Sequence, residues 1–116
     1  MEKELRGIFV GTNKEPFEVR FNDELNNLQS FVGGRIEVLS ISNTDNRSID
    51  LIFNEECKFL FEEVNKILIY KNGMTDYLSG NILVVAANEL TGEFVSLTDE
   101  EIEHYLTFML DDRLFI

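Results

Sequence analysis

A chain of 116 residues with 22 acidic and 10 basic side chains, formal net charge −12 at pH 7, is long enough for one packed core and too short for two. Its 44% hydrophobic content, with ten Phe and no Trp, excludes a disordered acidic tail. Charge of this sign repels nucleic acid phosphates and anionic membranes, so direct binding to either is not expected and a basic partner is favoured.

Residues 5–10 and 17–21 read as a hairpin: an apolar run, turn chemistry at Gly11-Thr12-Asn13-Lys14, then Phe17, Val19 and Phe21 alternating with Glu18 and Arg20. Asn22 predicts a helix cap, with Asp23 and Glu24 in the first turn and Leu25, Leu28 and Val32 at helical spacing, so a short helix is expected over about 23–32. Gly33 fits the left-handed residue that closes it, and Gly34 frees the turn into a strand over 35–41. The polar stretch SNTDNRS then reads as a loop, and 49–53 as the returning strand of a second hairpin.

Residues 54–70, NEECKFLFEEVNKILIY, admit two readings. Leu60, Val64, Ile67 and Leu68 lie at helical spacing, while 58–61 and 66–70 also read as strands; a mixture is expected. Asn72-Gly73 marks a turn, and NILVVAA, unbroken in its apolarity, predicts a strand covered on both faces at the centre of the sheet. After a loop and a brief extended segment at 94–96, Thr98 and Glu101 form a capping box and Leu97 and Ile102 a hydrophobic staple, which starts a helix at Asp99. Ile102, Tyr105, Leu106, Met109 and Leu110 are its inward stripe. The order of elements is not a regular βαβ alternation. The expected fold is therefore a single α+β domain over 1–116, a mostly antiparallel or mixed sheet with the short helix and a C-terminal helix, about 99–110, packed on one face.

Little in the sequence points to catalysis. A phosphate loop runs from a strand through glycines into a helix N-terminus, whereas Gly33-Gly34 follows a helix and precedes a strand, so the pair is read as a plain corner. His104 is the only histidine and sits among acids; Cys57 is the only cysteine, which removes both a disulfide and a paired-thiolate zinc site within one chain. Adjacent acids such as Glu55-Glu56, Glu62-Glu63 and Asp111-Asp112 lack calcium-loop spacing. No cofactor, no metal and no enzymatic activity are expected. The opening MEKELRGIFVGTNK holds an apolar run too short for a signal-peptide core or a membrane span, so a reducing, cytoplasmic setting is expected.

Several short stretches carry a resemblance: Lys14-Glu15-Pro16-Phe17-Glu18, Leu28-Gln29 with Val32-Gly33-Gly34 and Ile36-Glu37, Asn54-Glu55-Glu56 followed by Lys58, residues 76–80 before the NILVV strand, and Gly92-Glu93-Phe94-Val95-Ser96-Leu97 leading into the helix. Over residues 8–105 the chain resembles the domain of unknown function 3846 family, small proteins of bacteriophages and conjugative elements. Two features depart from it: Cys57 stands where glycine is common, and FEEVNK (61–66) replaces a Pro-Asn-Arg-like segment. The resemblance implies a phage or mobile-element setting inside a bacterium and assigns no residue a role.

Acid is concentrated late in the chain, where Glu89, Glu93, Asp99, Glu100, Glu101, Glu103, Asp111 and Asp112 are opposed only by Arg113. The expected function is a non-enzymatic accessory protein that docks on a basic host protein through an acidic face of Glu93, Asp99, Glu100, Glu103, Asp111 and Asp112, with nucleic-acid mimicry or an anti-defence role as forms of that docking. An acidic surface that serves only solubility competes with it. The alternative is a small-molecule, nucleotide-type binding or sequestering module, with Arg35, Arg47, Asn54 and Lys58 as its loosely clustered donors. Self-association is left open.

Overall fold

In the computed structural model, which describes residues 4–60 and 63–116, the apolar run NILVVAA becomes the strand around which the rest is built. In chain order the elements are β1 (Leu5–Val10), β2 (Phe17–Phe21), α1 (Leu25–Val32), β3 (Ile36–Thr44), β4 (Arg47–Asn54), α2 (Cys57–Leu60), β5 (Val64–Ile69), β6 (Thr75–Ser79), β7 (Ile82–Asn88), β8 (Phe94–Val95), α3 (Asp99–Phe108) and β9 (Arg113–Phe115). Five strands pair antiparallel in the order β2-β1-β7-β4-β3, and β8 pairs with β7 beyond the end of β1. A second sheet, β6-β5-β9, pairs β5 antiparallel with β6 and parallel with β9. No helix among the described residues is long and apolar enough to cross a membrane.

Side chains of β7 alternate between two cores, as the period of two requires. Ile82, Val84 and Ala86 join Ile8, Val10, Leu51, Leu68, Leu114, Ile102 and Met109 on one side. Leu83 and Val85 join Leu5, Phe21, Ile52, Leu28 and Val32 on the other. Thus α1 covers one face of the large sheet, and the second sheet with α3 covers the opposite one. This corrects the expectation of both helices on one face: a strand apolar on both sides needs cover on both.

The glycine pair serves the fold. Gly33 takes φ 81°, and its N–H and that of Gly34 both donate to the Gln29 carbonyl, at 2.8 and 3.2 Å, closing α1. Gly34 is glycine for a different reason: a Cβ there would lie 2.8 Å from Nδ2 of Asn54. Asn54 is buried, donates to the Val32 carbonyl at 3.3 Å and accepts from the Glu56 N–H at 2.8 Å. One side chain therefore ties the end of α1 to the turn that precedes α2.

Other boundaries move for identifiable reasons. Helix α1 begins at Leu25 rather than at 23, because the Asn22 side chain accepts from the Glu24 N–H and makes a turn instead of a cap. Leu25, expected inside, is exposed. The stretch SNTDNRS is mostly strand: Asp45 and Asn46 alone turn the chain, both at positive φ (51° and 61°), as a two-residue hairpin requires. The segment after Asn54 is the expected mixture, a short helix and then β5; the part of that reading on Phe61 and Glu62 lies outside the described residues. Helix α3 stops at Phe108, leaving Leu110 exposed, because the chain is drawn back onto β5: Ile67 N–H donates to the Asp112 carbonyl and Lys66 Nζ to the Asp111 carbonyl, at 2.8 and 2.9 Å. Strands β6 and β9 are additions to the sequence reading.

Candidate functional site

The start of α3 is fixed by a set of side-chain hydrogen bonds. Thr98 Oγ1 accepts from the Glu101 N–H at 3.2 Å, and Glu101 Oε1 accepts from the Thr98 N–H at 2.8 Å, which completes the capping box. The same carboxylate receives Arg47 from β4 as a two-pronged pair, Nε to Oε2 at 2.9 Å and Nη2 to Oε1 at 2.6 Å, and Nη2 also donates to the Ser96 carbonyl at 2.7 Å. The Arg47 hydrogen bond holds the Glu101 carboxyl below the usual carboxylate range, and Glu101 in turn pushes the guanidinium up. Glu101 therefore fastens α3 to the sheet.

Asp99 is also engaged. Its Oδ1 lies 2.6 Å from Nη1 of Arg6, whose Nε reaches Glu18 at 2.9 Å. Arg35 pairs with Glu55 and Lys58 with Asp76. These basic residues are thus held by specific acids, and among the described residues the other acids on α3, Glu100 and Glu103, have no ion-pair partner. Glu100, Glu103, His104 and Thr107 fall at i, i+3, i+4 and i+7 on one helical face, and with Phe108 and Asp111 they line an open groove of about 540 Å³. His104 stacks on Phe108 with ring centroids 6.0 Å apart. Among the described residues Glu100, Glu103 and Asp111 take part in no ion pair.

Of the six acids expected to form one face, Glu100, Glu103 and Asp111 are brought to this groove. Asp99 is tied to Arg6, Glu93 sits on the loop between β7 and β8, and Asp112 gives its carbonyl to β5. Sequence reasoning missed Lys66, buried to 4% exposure, whose amine is pushed down by that burial and fixes the exit from α3. Its position on an apolar strand is the signal, since a lysine there needs a buried acceptor.

A second concavity, a cleft of about 220 Å³, lies between the two sheets, lined by Glu37, Phe53, Glu55, Lys58, Tyr70 and Asp76 among others. The four donors suggested for a nucleotide do not converge there. Arg47 stands at the opposite end of β4 from Asn54, about 23 Å away at strand rise. Asn54 is consumed internally, and Arg35 and Lys58 already hold carboxylates. Among the described residues, no group of three or more His, Cys, Asp or Glu comes together to hold a metal ion.

A family model described as a domain of unknown function, DUF3846, matches residues 5–109, from the start of β1 to the turn after α3. The chain belongs to the DUF3846 family. No curated protein and no solved structure matches it. The DUF3846 match takes in both the Arg47–Glu101 clamp and most of the acidic groove, and it ends before β9.

Proposed function

We propose that this DUF3846 protein is a non-enzymatic accessory protein of a phage or other mobile element, and that the outer face of α3 docks on a basic surface of a host protein. The observation that carries the reading is the division of acid around α3: Glu101 is clamped by Arg47 and Asp99 shares Arg6 with Glu18, whereas Glu100, Glu103 and Asp111 line one groove and, among the described residues, take part in no ion pair. A row of carboxylates beside the His104–Phe108 stack offers a basic surface both charge and a flat apolar contact.

The test compares capture from host lysate by the wild type, by E100K/E103K/D111K, and by E15K/D23K/E24K, which makes the same charge change on exposed acids elsewhere. A partner that elutes with raised salt is expected to bind the control normally and the α3 variant at least ~10-fold more weakly. Equal losses in both variants would show that net charge alone is at work and would reject the α3 face.

The second reading, a small-molecule module, would use the cleft between the sheets. It is smaller than the roughly 300 Å³ at which ligand pockets usually begin, and its donors are already paired. Nucleotides are therefore expected to leave the melting temperature unchanged, although a ligand at a hundredfold its Kd should add about 2.7 kcal/mol. A shift that Lys58→Ala abolishes would favour the cleft over α3.

A further inference from the structure

The outer face of the small sheet is aromatic and aliphatic except at Thr75 and Arg113, in a chain that is otherwise strongly acidic. Its register places Tyr77, Ile67 and Arg113 in one cross-strand row and Thr75, Ile69 and Phe115 in the next. The intervening Lys66, Leu68, Leu78 and Leu114 are buried. Tyr77 and Phe115 remain 48% and 70% exposed, and no acid lies in either row.

This face ends at a free edge, because β9 is the last strand of its sheet and pairs, among the described residues, only with β5. The Asp112 carbonyl and the Ile116 N–H are bonded to β5. Strand alternation turns Leu114 the same way and points the N–H and C=O of Arg113 and Phe115 outward. Among the described residues the other sheet edges are protected: β2 carries Glu18 and Arg20, β3 is broken by a bulge between Ser40 and Ser42, β6 carries Asp76, and β8 is only two residues long.

From this edge we infer that the chain self-associates, β9 pairing antiparallel with β9 of a second copy about a two-fold axis at Leu114. That register sets Arg113 opposite Phe115 of the other copy, twice. Each such pair joins outward-facing backbone groups by two hydrogen bonds and lays a guanidinium on an aromatic ring. The small sheet then continues through both copies, and each row of one copy runs on into a row of the other. The inference is independent of the role proposed for α3, and the two respond to salt in opposite senses. Two chains of charge −12 repel, so this contact tightens as salt rises, whereas docking on a basic surface loosens.

Sedimentation equilibrium of the full chain at about 50 and about 500 mM salt tests it. A species of twice the 13.4 kDa chain mass, favoured at the higher salt, is expected. F115R faces Arg113 of the second copy with another arginine and should weaken association at least ~10-fold with unchanged circular dichroism. R113E/F115R sets opposite charges across the two-fold and should restore it. A wild type that stays monomeric at about 0.5 mM, a dimer indifferent to F115R, or no rescue in the double variant would each overturn the inference.

Discussion

Arg47→Ala is expected to lower unfolding free energy by about 3 kcal/mol, a loss of roughly 10 °C in Tm for a chain of this size. The substitution strands a carboxylate and a carbonyl at once. Glu101 loses both prongs of its partner and the Ser96 C=O loses its donor, in a place where Glu101 and Arg47 side chains keep only 21% and 31% of their exposure. The Thr98 capping box survives, so α3 should persist locally while its docking on the sheet loosens. Titration separates this from a mere packing loss. The Glu101 pKa is lowered by folding, so its contribution is present above the ordinary value of 4.5 and lost as pH falls through the folded value. Wild-type stability should therefore fall in that acid window, and the Arg47→Ala curve should be flatter there. Equilibrium denaturation across the window measures both; parallel curves would mean that the ion pair does not stabilise the fold.

How this clamp relates to the acidic groove explains what the sequence could reveal. Glu101 announces itself as a capping residue because Thr98 stands three positions before it. Its second partner, Arg47, is fifty-four positions away and has no local signature. Consequently the split on α3 between acids that hold an arginine and acids that, among the described residues, hold none is invisible without the fold, even though Glu100 and Glu103 already share a helical face in sequence. Asp111 reaches the groove only because the helix ends at Phe108 and the chain turns.

The same contrast runs through the fold. Strand β7 is legible because burial on both faces leaves an unbroken apolar run, and the start of α3 because two capping signals coincide. Strand β9 has three residues and pairs in parallel with β5, so neither periodicity nor a turn signal marks it. The two-residue turn at Asp45-Asn46 hides in a polar stretch that looks like a longer loop. If β9 pairs with a second copy, the short strand also matters functionally. Helix α3 is joined to it by a four-residue turn, so one assembly would present two acidic faces, and a basic partner with two sites would gain from avidity.

Gly34→Ala should cost about 2 kcal/mol, against about 1 kcal/mol for the same exchange at an ordinary interior glycine site forced to positive φ. Gly33 is the residue at φ 81°; Gly34 is not among the positive-φ glycines, so its cost comes from a collision and not from backbone strain. The incoming methyl would meet Nδ2 of Asn54 at 2.8 Å, and the amide yields only by giving up the Val32 carbonyl or the Glu56 N–H. Because the neighbour is a side chain, a double-mutant cycle exposes the mechanism. Asn54→Ala removes both the hydrogen bonds and the obstacle. Gly34→Ala should then add little on that background, and the pair should be non-additive by at least ~1 kcal/mol. Chemical denaturation of the four proteins reads this directly. Full additivity would mean that the glycine is required by the backbone alone, and that the corner between α1 and β3 does not depend on Asn54.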